Sequence, residues 1–202
     1  MARFIKKLGN RGVTLIELVI TLAIVGILVI LGVNYMDGVV AKYRLDSAAK
    51  DMAGRIKLAK IVTITRNTAV TIFVNSTDST YYAFFDKDED AAKDAAEDYV
   101  NLDNGRVTTL DIATKRLHDS VTISAVNFGT TTPNSLTLRP PSGLPNTSLL
   151  TGVVNGVVCF KATVDDTVEY RRVTISSIAG RVKLWRGTSG NCTDDSVWEE
   201  AL

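Results

Sequence analysis

From Leu18 to Val33 the chain reads LVITLAIVGILVILGV, in which Thr21 is the one polar side chain. As a helix these sixteen residues measure about 24 Å, and Val13 to Ile16 lengthen the stretch. A bilayer core is about 30 Å thick, so the segment spans or nearly spans a membrane. The preceding MARFIKKLGNRG carries Arg3, Lys6, Lys7 and Arg11 and no acid. Such a leader stays on the cytoplasmic side and sends the rest of the chain outward. Glu17 stands between leader and apolar run. A cleaved secretory signal would have an uninterrupted apolar region and then a small-residue cleavage site, and neither is present. A plain membrane anchor or a buried core helix gives no reason for a carboxylate there, which is costly in hydrocarbon.

Gly12-Val13-Thr14-Leu15-Ile16-Glu17-Leu18 resembles the prepilin signature of type IV pilins and type II secretion pseudopilins. The resemblance implies cleavage after Gly12 by a prepilin peptidase and N-methylation of Val13. Loss of four leader cations from 23 leaves 19 against 22 acids, changing the net charge from +1 to −3. It also implies that Glu17 meets the terminal amine of a neighbouring subunit, neutralising two buried charges. The implied partners are other pilins or pseudopilins through the helix, the peptidase, an inner-membrane assembly platform and inner-membrane lipid. The implied location is the inner membrane, single-pass, with the head in the periplasm or outside the membrane, and then a filament.

Past Val33 the pattern becomes amphipathic. Met36, Val39, Val40, Tyr43, Ala48, Met52, Ile56, Ala59 and Val62 recur mostly every three or four residues, with cations and acids between them. This predicts one helix from about Thr14 to Thr65, which Gly26, Gly32 and Gly38 weaken locally by up to about 1 kcal/mol each, with room for stretching or close helix packing. Beyond Arg66 the period changes to two. Expected strands are Ala69–Val74, Thr80–Phe85, Asp98–Leu102, Ser120–Val126, Ser135–Arg139, Val153–Ala162, Val168–Ser176 and Gly180–Trp185. Asn155-Gly156 suggests a tight hairpin inside the sixth of these. The fold class is therefore α+β, a long N-terminal helix on one or two antiparallel sheets. The expected divisions are a leader at 1–12, a helix at 13–66 with its membrane segment at about 13–35, and a β head at 67–202. The head is similar to the GspH/FimT-like minor pseudopilins and minor pilins. The shared features are Thr68–Val74, Thr80–Phe85 leading into an acidic loop, the Arg139-Pro-Pro-Ser-Gly turn and the final Ala179-Gly-Arg-Val-Lys-Leu strand.

Three side-chain groups could carry chemistry. In the loop 86–97, Asp86, Asp88, Asp90, Asp94 and Glu97 stand at positions one, three, five, nine and twelve, the oxygen-ligand spacing of an EF-hand-like calcium loop. Ala91 replaces the turn glycine, and a solvated charged loop is the competing reading. Cys159 and Cys192 would form a disulfide outside the inner membrane. Arg181, Lys183 and Arg186, with Trp185 between, could grip phosphate and stack on bases. In FimT-like relatives a Gly-Arg-x-Arg element near this place binds DNA; here the second Arg is Lys183, and acids follow.

One His and two Cys exclude the common zinc frameworks and leave little for His-based acid–base work. His118 reads as a surface residue. No spacing makes a nucleophile elbow or a triad, and no catalytic residue is assigned. The expected function is a minor pilin or pseudopilin, at or near the tip of a type II secretion pseudopilus or type IV pilus. The alternatives are a DNA-binding minor pilin of a competence pilus and an extracytoplasmic enzyme on a plain anchor.

Overall fold

The computed structural model describes residues 13–128, 134–145, 155–176, 180–188, 190, 192 and 195–201, without the side chains of 30–35, 155 and 195. The leader 1–12, the turn at 129–133 and Val153–Val154 lie outside them. Two compact units divide between Asp37 and Gly38. Helix α1 runs Leu15–Arg66 and contributes to both.

In the first unit the helix starts at a cap. Thr14 Oγ1 accepts the backbone N–H of Glu17 at 3.3 Å, so a hydroxyl satisfies one of the free donors of the first turn. Thr21 donates its hydroxyl to Leu18 O at 2.9 Å. The polar residue of the apolar run thus keeps its hydrogen bond within the helix, as an apolar surrounding demands.

In the second unit α1 buries Leu45, Ala49, Met52, Ile56, Ala59 and Val62. From Met52 onward the stripe is the expected one; before it, Val39 and Tyr43 are exposed, and Leu45 and Ala49 take the inward places. Gly38 is buried because the carboxylate of Asp165 occupies the space a Cβ would need, 2.1 Å from its nearest atom. Asn67 ends the helix with φ 50°, the left-handed residue that closes many helices.

The strands are β1 Val70–Asn75, β2 Thr80–Phe85, β3 Tyr99–Val100, β4 Val107–Thr108, β5 Lys115–Arg116, β6 Thr122–Asn127, β7 Ser135–Arg139, β8 Leu144–Pro145, β9 Asn155–Val164, β10 Thr167–Ser176, β11 Val182–Gly187 and β12 Trp198–Glu200. A short helix α2, Leu110–Ala113, precedes β5. Among the described residues they form two antiparallel sheets. One has the order β4-β3-β2-β1-β7-β8 with β5 on β2; the other has the order β12-β11-β10-β9-β6. The α+β class follows directly.

Period two decides which side chains meet the helix. Val70, Ile72 and Val74 of β1, Tyr81, Ala83 and Phe85 of β2, and Phe160, Val173 and Ile175 of the second sheet join the stripe of α1 in one core. The alternate residues face outward and are covered too. Phe73, Tyr82, Phe84 and Tyr99 form an aromatic row on the first sheet, with centroids 5.3 to 6.3 Å apart. On the second sheet, Cys159, Trp198 and Cys192 make a smaller cluster with Tyr170 and Trp185.

The hairpin expected at Asn155-Gly156 is not formed. β9 runs straight through both residues, pairing Asn155 with Ser176 and Gly156 with Ile175. Gly156 serves close packing instead: a Cβ there would lie 2.8 Å from both Ile175 and Phe128 side-chain atoms. The turn falls at Asp165-Asp166, both with positive φ (46° and 62°), as a tight hairpin between twisted strands requires. β6 also carries an irregularity at Ser124, where the register against β9 shifts between Ile123 and Ala125.

Candidate functional site

Four places hold the side chains singled out above. At the start of α1, Glu17 is exposed, and so are Val13, Leu15, Ile16, Leu18, Val19 and Ile20, between 52% and 83%. The exposure continues to Val29 on every side of the helix. Such a surface has no counterpart in a stable water-soluble monomer and marks a site of contact with lipid or protein. Among the described residues no helix is long and apolar enough to cross a membrane by itself. Gly12 lies outside the described residues, and Val13 immediately precedes the capping residue Thr14.

The basic cluster does not form one patch. Lys183 bonds Glu200 at 2.8 Å and also lies 5.4 Å from the Trp185 ring centre. Arg186 pairs with Asp46 of α1 at 3.5 Å. Arg181 is exposed and precedes β11 rather than sharing its pleat. Trp185, the stacking candidate, donates its indole N–H to Thr174 Oγ1 at 2.9 Å and has Arg172 5.0 Å from its ring. Lys183 and Arg186 are thus each paired with an acid, and Lys183 and Arg172 lie against the tryptophan that would have to stack on a base.

Arg171 and Arg172 go to opposite faces of β10, and both are buried. Arg172 lies 4.8 Å from the Trp198 ring centre, between the two tryptophans. Arg171 bonds Asp46 through Nε and Glu169 through Nη2 at 3.0 Å, and donates to Tyr170 O at 2.8 Å. Lys42 of α1 reaches Glu169 at 3.1 Å. Helix and second sheet are therefore joined by a charge network whose acids, Asp46 and Glu169, no sequence spacing had marked. Burial pushes the Glu169 carboxyl up, but hydrogen bonds from Arg171 and Lys42 outweigh this and hold it below the usual carboxylate range.

The sulfurs of Cys159 and Cys192 are joined, with their Cα atoms 6.2 Å apart and a sequence separation of 33. The bond ties the segment before β12 to the middle of the second sheet. Closing a loop of this size stabilises by about 3 to 4 kcal/mol in the chain-entropy account. Reduction by dithiothreitol, or Cys192→Ser, should lower the melting temperature of the head by about 6 to 16 °C. Scanning calorimetry of the full chain in detergent checks this; an unchanged transition would show that the bond adds nothing.

The acidic loop leaves the end of β2 and returns as β3, above the outer face of the first sheet. It does not gather all five acids. Asp86, Asp88 and Glu97 place one carboxylate oxygen each within 4.8 Å of the other two. Asp90 instead accepts the backbone N–H of Ala92 at 2.7 Å, and Asp94 offers its backbone N–H to Glu97 Oε2 at 3.1 Å. Glu89 and Ala91 both have positive φ (61° and 65°), the second at the place where an EF-hand loop has its turn glycine. Sequence spacing also gave no hint of Thr71 and Thr137, neighbours across β1 and β7, whose hydroxyls lie 2.6 Å apart beside Asp86. His118 is exposed, with Nδ1 3.0 Å from Ser120 Oγ.

Residues 7–33 match the prokaryotic N-terminal methylation motif. Residues 48–180 match the family described as type II transport protein GspH. The chain is similar to the minor pseudopilin EpsH of the type 2 secretion system of Vibrio cholerae, at 12% identity and a TM-score of 0.47, over 70% of this chain and 95% of that one. No curated protein matches it. The second match covers well over half of the sequence, from the buried part of α1 to just before β11, and on it the chain belongs to the type II transport protein GspH family, one of structural subunits rather than enzymes.

Proposed function

We propose that this chain is a minor pseudopilin of a type II secretion system, at or near the tip of its pseudopilus. It enters the inner membrane through the apolar half of α1, with the leader in the cytoplasm and the head outside. A prepilin peptidase removes residues 1–12 after Gly12 and methylates the amine of Val13. The assembly platform then moves the subunit from lipid into a bundle of like helices, where Glu17 pairs with a neighbour's Val13 amine.

One observation carries this reading: the methylation motif is joined directly to a helix whose apolar side chains are exposed all round from Leu15 to Val29. Such a surface has to be covered, by lipid before assembly and by neighbouring helices after it. Helix transfer from lipid gains little from the hydrophobic effect, so close packing and charge pairing supply the specificity. The family match over the head supports secretion rather than DNA uptake, as does the pairing of Lys183 and Arg186 with acids.

Mass spectrometry of the protein from its native host tests the processing step. The expected first residue is Val13 carrying one methyl group. Recovery of the chain from filaments with residues 1–12 still attached would overturn the proposal.

A further inference from the structure

Beyond assembly, the head holds a charge arrangement that pilus building does not use. Asp86 ends β2 and is fully buried. Its Oδ2 accepts from the Thr71 hydroxyl at 2.6 Å, from the backbone N–H of Ala91 at 3.1 Å and from the Thr137 hydroxyl at 3.5 Å. Its Oδ1 is equally buried and meets no hydrogen-bond donor among the described residues. A carboxylate oxygen out of water and without a donor is a costly state, which proteins relieve with a proton or a cation.

Two further carboxylates stand where a cation would need them. Asp88 and Glu97 each bring an oxygen to the same 4.8 Å triangle as Asp86. Glu97 is buried and fixed at both oxygens: Oε1 accepts the Lys87 N–H at 2.5 Å and Oε2 the Asp94 N–H. Asp88 is exposed, so the triangle has an open side for entry and for water ligands. The nearby cations do not fill it. Lys87 Nζ donates to Ala96 O at 2.9 Å, Lys93 lies 4.8 Å from the Tyr99 ring centre, and Arg139 pairs with Glu89 at 2.5 Å.

We infer that Asp86, Asp88 and Glu97 form a divalent-cation site, and that its ion is calcium. The donors are all hard oxygens, with no His or Cys in the group, which disfavours zinc and copper. An irregular loop supplying carboxylates, with room for carbonyls and water, suits the flexible six- to eight-oxygen shell of calcium better than the strict octahedron of magnesium. The ion would fasten the loop 86–98 to the outer face of the first sheet, using the same Asp86 that the two threonines hold. The site stands whether or not the chain is processed at Gly12.

The test is titration calorimetry of the full-length protein in detergent with calcium chloride, after dialysis against chelator. The expected result is one saturable site with a dissociation constant of about 10⁻⁴ to 10⁻³ M, as in extracellular modules. Melting temperature should rise with calcium and fall back with chelator. Asp88→Asn is the informative variant, because its side chain is exposed and the fold does not depend on it. It should weaken binding about tenfold by removing one ligand charge, with an unchanged circular dichroism spectrum. Glu97→Gln should remove the calcium-dependent rise in melting temperature. Absence of binding up to 10 mM (about ten times the weakest expected constant) would overturn the assignment. So would unaltered binding in Asp88→Asn and Glu97→Gln, which would put the ion elsewhere, or equal affinity for magnesium.

Discussion

Glu17→Ala should leave the chain cleaved after Gly12 and held in the membrane, yet nearly absent from filaments. The helix itself does not need this side chain. Its first turn is capped by Thr14 Oγ1 on the backbone N–H of residue 17, a bond that alanine retains. The apolar surface from Leu15 to Val29 is untouched, so insertion is unchanged. In the proposed assembly what disappears is the partner of a neighbour's Val13 amine, and breaking one half of a buried ion pair costs about 3 to 5 kcal/mol. At about 1.4 kcal/mol per factor of ten, incorporation drops by about a hundredfold or more. Glu17→Gln, which keeps size and hydrogen bonding but loses the charge, should fail in the same way. Comparing the amount of each variant in sheared filaments with that in membranes measures the effect. Normal incorporation of either variant would remove the pairing role of Glu17.

The largest expected loss of stability comes from Arg171→Ala. This guanidinium is 2% exposed and is held by Asp46 on one side and Glu169 on the other. Removing it leaves the two partly buried carboxylates of Asp46 and Glu169 without their shared partner. A loss of about 3 to 5 kcal/mol follows, or about 6 to 20 °C in melting temperature for a chain of this size. The network also makes stability depend on pH. Glu169 is held below its ordinary range in the folded chain, so its contribution is complete above the unfolded value of about 4.3. It is lost as pH falls through the lower folded value. Acid unfolding of the wild type should therefore be steeper between about pH 5 and 3 than that of Glu169→Gln. Thermal melts across that range, on the full chain in detergent, distinguish the two; identical slopes would show that the network is not coupled to folding.

Much of this molecule is legible in runs of neighbouring residues. The motif Gly12 to Leu18, the apolar stretch behind it, and the change from period four to period two near Arg66 depend on local order alone. Each expresses a property a short segment has by itself: capping, helix propensity, hydropathy or pleat. That is why β1, β2, β7 and β10 stand close to where alternation placed them. The same logic misread Asn155-Gly156, because a turn dipeptide and a packing glycine have the same local appearance. Only the approach of Phe128 and Ile175 separates them.

The two charge arrangements in the head belong to the other class. Asp46 and Arg171 are 125 residues apart in sequence, and Thr137 and Asp86 are 51 apart. Nothing near any of the four predicts its partner. Acidic spacing did point to Asp86, Asp88 and Glu97, but it also included Asp90, whose carboxylate accepts the Ala92 backbone N–H, and Asp94, which joins through its backbone N–H to Glu97 and not as a member of the carboxylate triangle. Sequence alone determined that the chain has an oily helix with one acid at its start, a β head and two cysteines. Tertiary structure decided which charges are buried and which meet. Burial of a charge depends on which sheet faces close over it, and that depends on contacts between segments that local periodicity does not record.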